Sequence, residues 1–461
     1  MIPAVRGERI INKYNRTGFK RRVTGAERAM MMVPFNVIIV ASIRGNINAK
    51  RLLDVLNRLR TRHALLAVRV VVDEDDVAWF VTEGVPELNL EVIPRQDENQ
   101  WIEKTEAEFK VSFPFDKGPL SRFILLHSPD VSELIICVHH AICDGISLTY
   151  LIKDILHHLG EPDSTVEILP DPPAIDNNTV PSPPSIRPIL RKIIKLMNKR
   201  WEKKNIQFDH NDMKRLHRVF WEQNADRKLL TWIISEEMTK ALVSRSREEK
   251  VTVNTALWTA FLAAQYDVQA PLKSYHQRSG MAVNTRDKLL VPVGESFGFY
   301  ASSLTVRLNY TPRKDFWENA INIHNSIRTK LEKTELFRML IADLLSPSLL
   351  DSLYFSKYRL VKSRISNILL KMMNFNKVTY GYSITNVGRI DIPSVYGQLR
   401  LDSVYGPAVY SDVNEKLIGV ITVGDRISFM MTYNENNVST DNAKHIRDAA
   451  ISHLSRAIGM K

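Results

Sequence analysis

Several familiar signals are missing from this 461-residue chain. It has two cysteines, Cys137 and Cys143, close together in one stretch. That excludes a disulfide framework and makes a reducing, cytoplasmic compartment the expectation. No 18 consecutive residues are uninterruptedly apolar, so no membrane-spanning helix is expected. The first 22 residues are basic but lack the long apolar core of a secretory signal. No His or Cys spacing suits a metal, and no nucleic-acid motif is present. Acidic residues are also in deficit: 51 Asp and Glu face 63 Lys and Arg, a net charge of +12. A surplus of that size suits an anionic partner, such as a phosphate-bearing cofactor, an acidic carrier protein or an anionic membrane. Hydrophobic content of 44% with 25% charge is ordinary for a globular protein, and the length can bury one large core or two.

One stretch carries most of the chemistry. Residues 135–138 are an apolar run that reads as a buried strand, and it stops at His139-His140. Asp144-Gly145 follows, and a helical pattern begins at Ile146. An imidazole at the end of a rigid strand is well placed to act as a general base, because its neutral form takes up and returns a proton near pH 7. The acid can fix the turn or pair with an arginine. The glycine allows a close backbone approach or a positive φ. The plainer alternative is a strand end, a turn and Asp144 capping the next helix.

The pattern His139-His140-x-x-x-Asp144-Gly145 resembles the HHxxxDG signature of the chloramphenicol-acetyltransferase-like superfamily. That group includes condensation domains, polyketide-associated acyltransferases, wax ester synthases and alcohol acetyltransferases. The resemblance implies that His140 is the catalytic base, with His139 and Gly145 as motif support. It implies that Arg286, at the end of a strand over 281–284, pairs with Asp144. On that reading Asp144 organises the site and moves no proton. Further matches lie along the chain. Pro114-Phe115-Asp116 with Gly118-Pro119-Leu120-Ser121-Arg122 is similar to an element that precedes the motif strand. The helix over 253–266 resembles a central family helix. The strand over 379–386 is similar to a late strand facing the channel, which makes Ser383, Thr385 and Asn386 candidates for binding an oxyanion. Residues 294–307 resemble the segment that crosses between the halves. There Ser296-Phe297-Gly298-Phe299-Tyr300 stands where plant and peptide-synthetase relatives carry DFGWG, which favours the alcohol acetyltransferase and polyketide-associated branches.

The resemblance implies an α/β fold of mixed sheets, with two chloramphenicol-acetyltransferase-like halves and an active-site tunnel between them. A Pro-, Asp-, Asn- and Ser-rich stretch over 161–188 reads as a linker. The expected division is 1–175, a linker with a basic amphipathic helix over 176–205, and 206–461. Residues 22–34 either line the channel or form an amphipathic helix leading into a strand over 35–41. Leucines at helical spacing mark a helix over 47–62, and His63 after it reads as structural. Strands are expected over 68–72 and 77–82. His157 and His158 read as structural in the last turn of the helix after the motif. The helix over 189–204 sets Leu190, Ile193, Ile194, Met197 and Trp201 against Arg191, Lys192, Lys195, Lys199, Arg200 and Lys203. Residues 352–377 repeat that composition. Such helices either meet a membrane surface or acidic partner, or pack their apolar stripe on the protein. Helices are also expected over 236–249, 315–334, 335–345 and 440–458, and strands over 228–235, 398–403, 417–423 and 427–433.

The implied activity is acyl transfer from a coenzyme A or carrier-protein phosphopantetheine thioester to a hydroxyl or amine acceptor. Lipidic acceptors are among the candidates, and transient contact with an anionic membrane is one expectation. O-acylation is preferred. No covalent acyl-enzyme, metal, nucleic acid or tightly bound cofactor is expected. Two rivals are a free-standing condensation domain that forms an amide, and a non-catalytic scaffold that binds an acyl carrier. No adjoining adenylation or carrier domain is expected, which would weigh against a modular synthetase without excluding a free-standing domain. The intact His140, Asp144 and Gly145 weigh against a scaffold.

Overall fold

The computed structural model describes residue 16 and residues 18–332, 336–373 and 378–460. Thr334 and Glu335 of the expected helices, Phe375 and Lys377 of the second basic segment, and residues 1–15 and 17 of the basic N-terminus lie outside the described residues.

Two six-stranded sheets form two lobes. The first runs Val395–Tyr396, Leu399–Val409, Asn36–Arg44, Val131–His139, Ser121–His127, Leu90–Pro94. It is antiparallel except for its last pair. The motif strand Val131–His139 lies inside this sheet, and every residue after Val131 is buried. A strand covered on both faces needs a continuous apolar run, not an alternating one, which is what residues 134–138 supply. The one charge within the strand, Glu133, meets Arg95 at 2.8 Å.

The second sheet runs Ala301–Arg307, Arg278–Asn284, Tyr380–Ile390, Asn414–Val423, Arg426–Asn434, Arg227–Ile234. Tyr380–Ile390 pairs in parallel with both of its neighbours. Helix Val253–Val268 is apolar almost all round and fills this lobe's core. A small sheet of Lys20–Arg22, Ala78–Val81 and Arg69–Val72 sits apart from both.

The expected division at 176–205 does not separate the lobes. Strands Val395–Tyr396 and Leu399–Val409 come from the C-terminal part yet pair in the first sheet, where Leu399–Val409 bonds to Asn36–Arg44. Helices His210–Gln223 and Pro347–Lys357 add Leu216, Phe220, Leu349, Leu353 and Phe355 to the first core. The cause is local. The register of Leu399–Val409 breaks between Tyr405 and Ala408, and Gly406 takes φ 121° with its would-be Cβ 2.8 Å from the Ile38 carbonyl. The chain there swings over the second sheet. A Cβ on Gly419 would lie 2.1 Å from the Pro407 carbonyl oxygen. Only glycine lets the strands pass so closely.

The second basic segment is also not one amphipathic helix. Pro347–Lys357 is buried along most of its length, its polar Asp351, Ser352 and Ser356 included, and Lys357 reaches Asp412 at 2.6 Å. The chain breaks at Arg359, whose φ is 60°, and only Arg364–Met372 lies at the surface. Helix Pro188–Glu202 buries Ile194, Met197 and Trp201, so it packs one stripe on the protein. The expected helix over 335–345 is a 3-10 turn at Arg338–Leu344.

Candidate active site

His140 opens a 3-10 turn, His140–Ile142, between the motif strand and helix Gly145–Gly160. Its N–H donates to the Phe35 carbonyl at 2.8 Å, which fixes the backbone at the strand end. Its Nδ1 lies 2.8 Å from the Cys143 carbonyl. A carbonyl can only accept, so Nδ1 carries the proton and Nε2 carries the lone pair. The ring stands edge-on between Phe35 of the first lobe (6.4 Å) and Phe299 of the second (5.2 Å). Burial pushes the imidazole pKa down, against the pull of the Cys143 carbonyl and the Asp144 charge. His140 is therefore a neutral, oriented imidazole at the seam of the lobes.

The neighbouring His139 has a different role. It is buried, and its Nδ1 accepts from the Ala141 N–H at 3.2 Å. Its ring packs on Phe113 and Phe115. Burial lowers its pKa to about 3, opposed by a bond to the Val33 backbone. It stays neutral and holds the turn. It also borders a cavity of about 260 Å³ shared with Met31, Met32, Met213 and His217. Met31, Met32, Val33 and Pro34 line this space, after a helix over Gly25–Met31. The 22–34 segment is thus both a helix and a cavity wall.

Asp144 caps the motif helix and also spans the seam. Its Oδ1 accepts from the Ser147 N–H at 2.7 Å and from Arg286 Nη2 at 2.9 Å. Its Oδ2 accepts from the Tyr300 N–H at 2.9 Å. Arg286, in the turn after Arg278–Asn284, also donates to the Ser296 carbonyl (3.0 Å) and to Ser147 Oγ (2.7 Å). Ser147 Oγ in turn donates to the Gly298 carbonyl at 2.8 Å. The guanidinium lies 4.5 Å over the Tyr300 ring. The Ser296–Tyr300 block therefore grips the motif acid mainly through its backbone. Such backbone contacts are compatible with the departures from the DFGWG pattern at Ser296, Phe299 and Tyr300. With both oxygens committed, Asp144 is a positioning residue.

Gly145 is needed for closeness. Its φ is not in the left-handed region, but a Cβ there would lie 2.8 Å from Pro407 Cγ and 3.1 Å from Val387 Cγ2. The close contacts come from Pro407 on Leu399–Val409 and Val387 on Tyr380–Ile390, and no positive φ is involved. Gly145→Ala is expected to cost about 1–3 kcal/mol through overpacking, read by urea unfolding. A stability equal to wild type would show that Pro407 can yield.

The oxyanion candidates divide. The Ser383 hydroxyl donates to Asn414 Oδ1, so its one proton is spent. Asn386 Oδ1 accepts from the Gly388 N–H at 2.8 Å across a bulge between Asn386 and Gly388. Thr385 is half-buried. His63 is buried, with Nε2 2.9 Å from Asp154. Arg62 ties the same aspartate to Glu295, which makes a second clasp between the lobes. His158 bonds Ser164 at 2.7 Å, and His157 lies 3.7 Å from Glu161.

Cys137 and Cys143 are free and buried. Burial raises Cys137 to about 12 and Cys143 well above its ordinary value. Neither thiol is activated as a nucleophile. Among the described residues, no cluster of three His, Cys, Asp or Glu could hold a metal ion, and no helix is long and apolar enough to cross a membrane.

Sequence reasoning missed Ser147, Phe35, Phe299, Val387 and Pro407. Ser147 sits three residues after the helix cap, a faint signal. The others become neighbours only in the folded chain.

Two lobes, each with a mixed sheet, and a histidine at their seam define the chloramphenicol-acetyltransferase-like fold, and this chain has it. Within it, residues 32–170 match the condensation domain family. One of the plipastatin synthase proteins of Bacillus subtilis is 30% identical over 122 residues, 26% of this chain and 5% of that much longer protein. The trichothecene 15-O-acetyltransferase of Fusarium sporotrichioides superposes with a TM-score of 0.65 at 14% identity, covering 95% of each chain. The epimerization domain from the third module of a tyrocidine synthetase gives 0.62 at 14%, covering 96% of this chain and 97% of that one.

Proposed function

We propose that the protein is an acyltransferase that moves an acyl group from a thioester to a hydroxyl acceptor. The observation that carries this is the Nδ1 contact of His140 with the Cys143 carbonyl at 2.8 Å, which leaves Nε2 as a base at the seam. His140 Nε2 takes the hydroxyl proton as the oxygen attacks the thioester carbonyl carbon. The tetrahedral oxyanion collapses, the C–S bond breaks, and the imidazolium returns the proton to the leaving thiolate. The products are an ester and a free thiol, with no acyl-enzyme. Thr385 and the Asn386 amide are the remaining oxyanion candidates. The donor is coenzyme A or a carrier phosphopantetheine, and the +12 charge suits either anion. The tunnel that brings donor and acceptor to His140 belongs to the same proposal.

The match of residues 32–170 to condensation domains supports a second reading, amide formation on carrier-bound substrates. Thiol release from acyl-coenzyme A donors of rising chain length, with alcohols or amines added, separates the two. Alcohol-dependent release is expected. Release only from carrier-bound donors with an amine would favour condensation. No release from any donor with any acceptor would sink both.

A further inference from the structure

The surface helices Pro188–Glu202 and Arg364–Met372 have apolar residues that the protein does not cover. On the first, Ile194, Met197 and Trp201 are buried, but Ile189 (68% exposed), Ile193 (41%) and Leu196 (48%) form a second stripe, spaced i, i+4, i+7, facing water. On the second, Ser366, Leu369 and Leu370 are buried, while Ile368 and Met372, one turn apart, are about half exposed. Each helix is therefore amphipathic beyond what its own packing uses.

The two helices pack on one element. Trp201 Nε1 donates to Ser348 Oγ at 3.0 Å, and Ser366 Oγ lies 2.6 Å from Ser352 Oγ. Ser348 and Ser352 are one turn apart on a single face of helix Pro347–Lys357. Lys204 Nζ, just past the first helix, reaches Ser363 Oγ, the cap of the second, at 3.3 Å. Both helices thus lie on one support.

The charge around these stripes is nearly all of one sign, Glu202 in the last turn of the first helix being the exception. Arg191, Lys192, Lys195, Lys199, Arg200 and Lys203 surround the first stripe, and residues 186–201 include no acid. Arg359, Lys362, Arg364 and Lys371 surround the second, and residues 358–373 include none either. Among the described residues, no ion pair joins any of these ten cations to a carboxylate at 4.0 Å or less, whereas Lys357 beside them pairs with Asp412. Arg359, Lys362, Arg364 and Lys371, with Ser363 and Asn367, line an open basin of about 760 Å³. Arg359 enters it from a left-handed φ of 60°, a conformation a non-glycine residue keeps only where its surroundings hold it. A basin of cations and hydroxyls suits phosphate oxygens, and aliphatic side chains beside it suit the acyl boundary of a bilayer. A soluble acidic partner would satisfy the cations and leave the aliphatic stripes wet.

We propose that this face docks the protein on an anionic phospholipid bilayer. Lipid phosphates would sit in the basin, with Ile189, Ile193, Leu196, Ile368 and Met372 at the headgroup boundary. The proposal is independent of the reaction at His140, because it is read by binding alone.

The test is sedimentation of the full chain with vesicles of phosphatidylcholine alone, or with about one-third phosphatidylglycerol, at low and physiological salt. Binding is expected only to the anionic vesicles, weakening as salt rises. The triple charge reversal K362E/R364E/K371E is expected to weaken it roughly a hundredfold, and I193S/L196S roughly tenfold. Both variants change exposed residues, and melting temperatures equal to wild type will show that they fold. No sedimentation of wild type with anionic vesicles at low salt overturns the proposal, as does undiminished binding by both folded variants. Release of bound protein by millimolar sn-glycerol 3-phosphate would also overturn it, pointing to a site for a single soluble phosphate.

Discussion

Replacing His140 by alanine is expected to slow acceptor-dependent thiol release by about 10²–10⁴-fold, the contribution of a positioned general base, with a smaller loss of stability than His139→Ala, because the His140 ring is only partly buried. The second half of that expectation follows from the contacts. The bond that orients the His140 ring runs to the Cys143 carbonyl, which belongs to the same turn. The backbone bond from His140 N–H to the Phe35 carbonyl survives the substitution. The neighbouring His139→Ala should behave in the opposite way. It removes a ring packed between Phe113 and Phe115 and leaves a void in the core, so stability should fall by a few kcal/mol. Activity loss out of proportion to a small fall in unfolding midpoint at position 140, against a larger fall at position 139, is the pattern that separates base from support. A His140→Ala enzyme within a few-fold of wild type would exclude the mechanism.

The pH profile gives an independent check. The active form of the base is neutral, so kcat/KM should rise with pH through the His140 pKa and then level off. Burial sets that pKa below the ordinary histidine value of 6.5, although the Cys143 carbonyl and Asp144 oppose the shift. The acid limb should therefore have its midpoint below 6.5 and vanish in His140→Ala. A midpoint above 6.5 would mean that the charged form is favoured in the free enzyme, contrary to the desolvation seen at this ring.

How much of this is legible in the sequence depends on the range of the interactions involved. The motif strand, the turn and the helix after it are local, and residues 135–160 declare them through an apolar run, two histidines and a capping acid. Arg286 lies 142 residues from Asp144, and only the resemblance to a known family places the two together. The Ser296–Tyr300 block departs from relatives in its side chains. Its grip on Asp144 and Ser147 runs largely through backbone N–H and carbonyl groups, which tolerate side-chain change and so leave little trace in residue identity. The return of Leu399–Val409 to the first sheet is not legible. An apolar strand pattern does not say which sheet it joins, and the close passages at Gly406 and Gly419 are visible only when both strands are in place. The basic segment over 352–377 misleads for a related reason. Its composition averages a buried helix, Pro347–Lys357, with an exposed one, Arg364–Met372, and the break at Arg359 has no proline or glycine to mark it. Ser383 is a fair candidate for binding an oxyanion until the Asn414 side chain, on a neighbouring strand, accepts its hydrogen bond.

Arg286→Ala should be the most damaging substitution for stability, at about 3–5 kcal/mol, because it strips the counter-charge from a buried carboxylate. Asp144 and Arg286 are each less than a tenth exposed, and after the change Asp144 would keep only the Ser147 and Tyr300 N–H groups. The Ser296 carbonyl and Ser147 Oγ would each lose a donor as well. Since Asp144 belongs to the first lobe and the other partners, Ser147 apart, to the second, the loss should fall on the seam that holds Phe299 against His140. Arg286→Lys should recover only part, because one ammonium cannot reproduce a fork shared among Ser296, Asp144 and Ser147. Adding Asp144→Asn to Arg286→Ala should return stability toward wild type, since it removes the stranded charge and leaves the amide oxygen to cap the helix. Urea unfolding of the two single variants and the double variant measures the coupling. The proposed clasp requires the double variant to be less damaged than the sum of the singles by more than about 1 kcal/mol. Strict additivity would show that the pair contributes no interaction of its own, and that Asp144 is held by its backbone donors alone.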